Sequence, residues 1–384
     1  MTVDYIPPQK SYSNGKLSID KLDLPEAHII HGREFPVAYA LNLNDHEYNR
    51  DEVEEFLTSL SQKGVITQLI ENHGVFVLRD SVENSDESKA AEVASIIRHI
   101  EEGRNQVQFE QNGTLTTRDK KGFNLYTANK SPPESVILQH NEFSRFKRYP
   151  NSLVFSILEY TATGGETPLV HGGELYEKVA KELPQFLEKL SQTGLQFNNE
   201  IWYKDESERA YWNHEVTFGR NIKPEDDFET KKKKALKIAH EYISDNAWFD
   251  EDDNLLASSK TWPVKTFKDE PLLFSSIAAF SDKYTTDEPK IKYGDGTVFS
   301  KEDLNKYKKI TEELEYKHNW KSGDIVFIHN YQVSHGKLPY KDGKRSTLVG
   351  MWDVQDHTKQ PFKNFQVEKS DLESVNSNLE ALKV

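Results

Sequence analysis

The sequence predicts a mainly β protein: one β-rich core, helices flanking it from the N-terminal half, and a long insertion late in the chain. Three observations predict this. The 384 residues include 20 Phe, 17 Tyr and 6 Trp, with 36% hydrophobic and 11% aromatic residues overall, a composition that suits a globular fold with a substantial β component. Three segments rich in β-formers, "NSLVFSILEY" from Asn151, "GDIVFIHN" from Gly323 and "RSTLVGMWDV" from Arg345, read as core strands. Finally, no internal repeat or low-complexity linker divides the chain, although its length would accommodate either one large domain or two ordinary ones.

Residues 1–25, with "PPQK" and "SYSNG", read as an extended, poorly patterned arm ahead of a single domain spanning 26–384. "DEVEEFLTSLSQKG" spaces Val53, Phe56, Leu57 and Leu60 as a helix does, and Gly64 follows as its stop. "VITQLIENHGVFVLRD" continues the helical connection and then enters a short buried strand at residues 75–78. A second helix is predicted over 85–102, and "TGGET" from Thr163 supplies a turn after the strand at 151–160. In "GELYEKVAKELPQFLEKLSQTG" a helical pair breaks at Pro184, whose ring starts a new helix or kinks the old one. Residues 195–290 are polar, aromatic and weakly patterned, part of a helical and irregular insertion over about 195–320, and the Lys run at 231–234 reads as the solvated face of a helix. Ser300 with Asp303 forms a capping signal before "LNKYKKITEELEY". The last two core strands are then joined by a loop, "YQVSHGKLPYKDGK".

The formal charge of −14 argues against nucleic acid or an anionic membrane as the main partner, since both reward a basic face. A small-molecule partner fits better; oligomeric state is not legible. "MTVDYIPPQK" lacks the cationic start and apolar run of a secretory signal, and no apolar stretch approaches the roughly 18 residues a membrane span needs. The expected location is therefore cytoplasmic. With no cysteine in the chain, disulfides, thiolate nucleophiles and sulfur-ligated metals are excluded, and any metal must sit on imidazole and carboxylate.

With 13 His and 63 acidic residues, two His-x-acid triplets are what chance delivers, and the chain contains two. His99 and Glu101 end a predicted helix, where a two-residue step turns about 200° and separates the side chains. His140 and Glu142 lie instead between Pro132-Pro133 and Pro150, which disfavour helix. In an extended segment, a two-residue step returns to the same face and both side chains reach one ion. A third ligand must come from further along. His335 falls in the loop between the last two strands, where function concentrates, whereas His329 lies within a strand as a packed core residue. Ten residues beyond His335, Arg345 opens the final strand, and a guanidinium there suits a bidentate grip on a carboxylate.

Two imidazoles and one carboxylate on one face of an octahedral iron leave three positions open, the arrangement of non-haem Fe(II) oxygenases. "HNE", "GGETPLV", "GDIVFIHNYQVSHG" and Arg345, in that order, resemble the taurine dioxygenase (TauD/TfdA) family, and particularly its clavaminate synthase-like branch. The resemblance runs from about Gly74 to Trp352, plainest between Thr127 and Tyr176 and weakest over 195–290. It implies a double-stranded β-helix (jelly-roll) core and an oxidoreductase, a dioxygenase using Fe(II), 2-oxoglutarate and O2. His140, Glu142 and His335 would then hold the metal, Arg345 would pair with the distal carboxylate of 2-oxoglutarate, and Thr167 would add a hydrogen bond to it. Most of the wider family carries Asp at the acid position; this chain has Glu142, as clavaminate synthase-like members do. The implied reaction decarboxylates 2-oxoglutarate to succinate and CO2 and oxidises, by hydroxylation first of all, a small molecule that the sequence does not identify.

Asn129, in "TANKS", is a candidate for lining the substrate pocket, with ordinary turn chemistry as the alternative. Strand alternation puts Thr347, Val349 and Met351 on the face of Arg345 and Trp352 on the other. Arg145, Lys147 and Arg148 read as a solvated basic edge, with attraction of an anionic substrate as the alternative. Two rivals stand beside the oxygenase reading. A zinc hydrolase could use the same ligands, but the chain lacks His-Glu-x-x-His and Arg345 would be idle. An inert jelly-roll binding protein would not need an intact ligand set. No phosphate-binding glycine loop is present: "GDGTVFS" lacks both the third Gly and the Lys-Ser/Thr ending.

Overall fold

A computed structural model describes residues 7–43, 47–128, 131–208, 210–281, 287, 289–356, 359–373 and 375. Its larger sheet has ten strands. Along its main path these run Ser11–Ser13, Ser18–Leu22, Val37–Asn42, Val75–Arg79, Ile325–His329, Ser152–Tyr160, Arg345–Val354, Leu125–Thr127 and Lys120–Gly122, with Gln106–Gln108 also pairing Arg345–Val354. Pairing is antiparallel except between Val37–Asn42 and Val75–Arg79. A second sheet of four strands runs Ile137–His140, Val333–Lys337, Thr167–His171 and Tyr316–His318.

The central strands are buried on both faces, which explains their near-continuous apolar spelling. Alternation still sorts their side chains. Val75, Val77, Leu153, Ile157, Val326 and Ile328 share one core with Leu169, Val333 and Tyr316 of the smaller sheet. Phe76, Leu78, Val154, Leu158 and Phe327 pack the other way, against Val53, Phe56, Leu57 and Leu60 and against Val93, Ile96, Ile97 and Ile100. Each such fully buried Leu, Ile or Phe contributes about 1.5–3 kcal/mol. The helices supplying the second layer are Arg50–Gln62, Val65–His73 and Ala90–Gly103. Asn49 caps the first by accepting from the Asp51 N–H, and Gly64, at φ 77°, makes the left-handed turn between the first two. The helical pair divides at Pro184 as its ring requires, into Gly172–Glu182 and Pro184–Thr193, and Ser300 caps Lys301–Glu313 through the Asp303 N–H.

Three expectations need correction. The described part of the expected 1–25 arm, residues 7–25, is not merely peripheral: Ser11–Ser13 and Ser18–Leu22 extend the large sheet, and Leu17 and Ile19 are buried in its helix-facing layer. Two apolar residues are too faint a pattern to read as a strand. The insertion is not mainly helical or irregular either. It holds a four-stranded sheet of Ala247–Phe249, Leu255–Thr261, Leu195–Trp202 and Ile291–Tyr293, beside the helix Phe228–Tyr242. Its strands carry polar residues such as Asn198, Asn199 and Ser258 that hydrogen-bond locally, and this hides the period-two signal. Residues 231–234 do lie on a helix, but Lys232 and Lys234 pair with Asp253 and Asp226. Lastly, the link between the last two core strands contains a strand, Val333–Lys337, where a loop was expected.

Candidate metal and oxyacid site

That last strand builds the site. Val333–Lys337 is buried along its whole length, and its polar side chains other than His335 are satisfied in place. Ser334 Oγ donates to Gln139 Oε1 at 3.1 Å, and Lys337 Nζ to the Pro132 carbonyl at 2.9 Å. It pairs antiparallel with Ile137–His140 so that His335 stands directly opposite His140. The sheet register therefore makes the two imidazoles a cross-strand pair, with ring centroids 4.3 Å apart.

Glu142 follows where the strand has already ended and a turn begins, with Phe143 at φ 56°. The segment is thus not extended through both residues, and a side-chain amide sets the geometry instead. Asn330 Oδ1 accepts from the Glu142 N–H at 2.8 Å, while Asn330 Nδ2 donates to the Glu142 and Pro150 carbonyls at 3.0 and 2.9 Å. Asn141 Nδ2 donates to the Asn330 carbonyl at 2.8 Å, and Asn141 also exchanges two bonds with the backbone of Ser275, from the insertion. The region most obscure in the sequence thus holds the turn that carries Glu142.

Glu142 Oε2 lies 3.7 Å from His140 Nε2 and 3.6 Å from His335 Nε2. The three ligand atoms fall within 4.8 Å of one another, the one such cluster among the described residues. Adjacent ligands about 2.1 Å from a shared ion stand about 3 Å apart, so Glu142 Oε2 is within an ångström of ligand spacing from each imidazole nitrogen. His140 Nδ1–H donates to the Leu138 carbonyl at 2.9 Å, which fixes the ring with Nε2 turned toward the carboxylate. Burial drives the His335 imidazole down to about 3, with the nearby His140 adding to the effect and Glu142 opposing it. Burial raises the Glu142 carboxyl, but its contact with His140 and the positive charge of Arg118 outweigh this and hold it well below the usual carboxylate range. A neutral His335 and an ionised Glu142 are the protonation states that metal ligation needs. The donor set, two imidazoles and a carboxylate with no thiolate, suits Fe(II).

The same residues line a cavity of about 240 Å³, together with Thr167, Thr347, Val349 and Arg345. Arg345 opens its strand opposite Tyr160, and its guanidinium crosses to the smaller sheet. Nε donates to the Gly165 carbonyl at 2.8 Å and Nη2 to Thr167 Oγ1 at 3.4 Å. Trp320 Nε1 donates to the same hydroxyl at 3.1 Å. Burial pulls the Arg345 guanidinium below its ordinary range, and among the described residues it has no carboxylate partner. Gly165, at φ +84°, leaves room for the arginine: a Cβ there would sit 3.0 Å from Arg345 Cδ.

The remaining sequence candidates divide. Thr347 and Val349 face the cavity with Arg345, Met351 joins the inter-sheet core, and Trp352 points to the helix-facing layer. His329 is a packed core residue, fully buried and 4.6 Å from the Phe267 ring. His99 and Glu101 separate as helical geometry demands: Glu101 is buried against Arg104 and Ser152, while the His99 side chain stays part-exposed. Arg145 is not part of a solvated edge; it lines the cavity and pairs with the buried Glu200 of the insertion, whereas Lys147 and Arg148 lie at the surface on Asp245 and Glu241. Asn129 lies outside the described residues. Sequence reasoning missed Asn330, Asn141 and Arg118. Arg118 Nη2 lies 3.5 Å from Glu142 Oε1, and its setting in "TTRDKKG" gives no sign of burial.

No helix among the described residues is long and apolar enough to cross a membrane. In sequence, the chain is 24% identical over 234 residues to a clavaminate synthase-like protein of Arabidopsis thaliana, a match covering 58% of this chain and 66% of that protein, just under two thirds of its length. It is 19% identical over 315 residues to the dapdiamide synthesis protein DdaC of Enterobacter agglomerans, covering 75% and 84%. Among solved structures, PvcB of Pseudomonas aeruginosa aligns over 96% of this chain and 99% of its own, at 11% identity and a TM-score of 0.47. The model of the taurine catabolism dioxygenase TauD, TfdA family matches residues 47–352. That stretch takes in both sheets' central strands, His140, Glu142, His335 and Arg345, and the chain belongs to this family.

Proposed function

We propose that the protein is an Fe(II)- and 2-oxoglutarate-dependent dioxygenase that oxidises, by hydroxylation, a small molecule, and that its two stacked sheets form a double-stranded β-helix. One observation carries the reading: a part-buried guanidinium with no carboxylate partner among the described residues lines the same small cavity as a His-Glu-His cluster. An unpaired buried cation is costly, and a dicarboxylate reaching from the metal to Arg345 would relieve that cost. A zinc hydrolase would leave the cation unexplained.

His140, Glu142 and His335 would hold Fe(II), and Arg345 with Thr167 would receive the distal carboxylate of 2-oxoglutarate. When bound, iron and 2-oxoglutarate supply the oxidising chemistry: O2 and the oxoacid give succinate and CO2, and one oxygen atom is inserted into a substrate C–H bond. The chain's own residues orient and exclude. Gly165 and Thr167 hold two edges of the Arg345 fork, leaving its other N–H groups for a carboxylate. Phe155 packs edge-on to His335 at 5.2 Å, and with Val349, Leu115 and Phe143 it forms the apolar wall that keeps water from the reacting centre. The cavity's size favours a small substrate, the charge of −14 speaks against nucleic acid or membrane partners, and we place the protein in the cytoplasm. In the deciding experiment, 2-oxoglutarate turnover to succinate is measured for His140→Ala and His335→Ala. Both variants should lose Fe(II) binding and turnover; wild-type succinate formation by either would defeat the assignment.

A further inference from the structure

The two oxygens of Glu142 do not share one environment. Oε2 is the oxygen that approaches His140 Nε2 and His335 Nε2, at 3.7 and 3.6 Å, whereas Oε1 is the one that approaches Arg118 Nη2, at 3.5 Å. Arg118 is fixed in its turn: Nη1 donates to Oε1 of the buried Gln111 at 2.9 Å. Only 11% of the Arg118 side chain and 12% of that of Glu142 is exposed, so water competes little for the contact. A carboxylate can ligate through one oxygen or chelate through two, and the extra methylene of Glu over Asp gives more freedom to swing the second oxygen inward. Chelation would use a position that the oxoacid and O2 require, because three open sites serve two oxoacid atoms and one O2.

We propose that Arg118 is a positioning residue that holds Glu142 Oε1 away from the ion, so that the carboxylate ligates through Oε2 alone and three coordination positions stay open. The proposal rests on the reading of His140, Glu142 and His335 as metal ligands. It assigns Arg118 no contact with substrate. Gln111 is the outer member of the device, acting through Arg118. A guanidinium suits the task better than an ammonium, because one nitrogen forms the ion pair with Glu142 Oε1 while another is anchored by Gln111.

The test counts metal-bound water by proton relaxation of Mn(II)-loaded protein. Mn(II) prefers oxygen and nitrogen donors in octahedral geometry, so a one-oxygen Glu142 predicts about three exchangeable waters. Arg118→Met, which keeps bulk but removes the donors, should lose one of the three, lowering the inner-sphere relaxation by about a third, while Arg118→Lys should retain it. Gln111→Leu, which frees the guanidinium without removing it, should give a value between the two. A structural role alone would not move the water count. The proposal is overturned if Arg118→Met and Gln111→Leu both bind Mn(II) with the wild-type count. It is overturned equally if folded Arg118→Met binds no Mn(II), since Arg118 would then assemble the site instead of limiting its denticity. Should Arg118→Met fail to fold by circular dichroism, the Gln111→Leu count decides alone. Absence of Mn(II) binding by the wild-type protein would instead defeat the metal-site reading, which separates the two failures.

Discussion

Replacing Arg345 with alanine removes the cation that the cavity offers to a distal carboxylate, and the structure sets the size of the effect. Truncating one partner of a buried, hydrogen-bonded charge pair costs about 2–5 kcal/mol. Arg345 is only partly buried as a residue, which places the cost toward the lower end, about 2–3 kcal/mol, or roughly 30- to 150-fold in affinity at 1.4 kcal/mol per decade. Thr167 offers a single neutral hydroxyl that already receives the Trp320 N–H, so Thr167→Val should cost about 1 kcal/mol, roughly fivefold. Arg345→Lys keeps the charge but loses the fork and should fall between them. The assay is anaerobic calorimetric titration of 2-oxoglutarate into Mn(II)-loaded protein, with Mn(II) affinity measured separately. Arg345→Ala should leave metal affinity within about twofold, because the contacts of Arg345 with Gly165 and Thr167 involve no metal ligand. An Arg345→Ala protein that binds 2-oxoglutarate within threefold of wild type, or that loses metal and oxoacid together, would refute the reasoning.

Asn330→Ala deletes three hydrogen bonds around the Glu142 turn and should weaken Mn(II) binding by about 10- to 100-fold; an unchanged metal dissociation constant would show that the turn holds itself. Gly165→Ala forces a Cβ toward Arg345 Cδ and Tyr340 Cβ, 3.0 and 2.9 Å away, at a positive φ, so 2-oxoglutarate affinity should fall with metal affinity intact, and equal loss of both would contradict this. Stability should peak near pH 6.5. His171, His329 and His335 are pushed down to about 3, chiefly by burial, so their contribution is complete above the ordinary histidine value and is lost as pH falls from there toward 3. His31 behaves oppositely: the hydrogen bonds to Glu177 and Glu270 raise it to about 10, so its contribution is complete below pH 6.5 and is lost as pH rises toward 10. Calorimetric melting between pH 5.5 and 9.5 reads both limbs, and His31→Gln should flatten the alkaline one; an alkaline limb that survives the substitution would remove His31 from the account.

Much of this was legible because it rests on periodicity. Residues 53–60, the strands at 75–79 and 325–329, and the break at Pro184 follow from apolar spacing or ring geometry, and the metal candidates followed from their residue types and order. What stayed hidden did so because buried polar groups mimic exposed ones in a sequence. Val333–Lys337 spells "VSHGK" and reads as loop, yet each polar side chain but His335 finds a partner within the sheets. Arg118 and Arg145 look like surface charge until tertiary packing brings Glu142 and Glu200 to them. Asn330 sits in "HNYQ" with nothing to distinguish it from a turn residue, and its role depends on contacts 188 positions away. The insertion's strands hide their alternation because polar residues such as Asn198, Asn199 and Ser258 break the apolar spelling, although Leu195 and Phe197 pack on helices and Trp202 and Leu255 join the inter-sheet core.

The most direct measurement is anaerobic titration of apoprotein with Fe(II) and then 2-oxoglutarate, monitored by visible absorption. A charge-transfer band that requires both additions, vanishes in His335→Ala and needs far more 2-oxoglutarate in Arg345→Ala is the predicted result. No band in the wild-type protein, or one untouched by His335→Ala, would contradict the account at its centre.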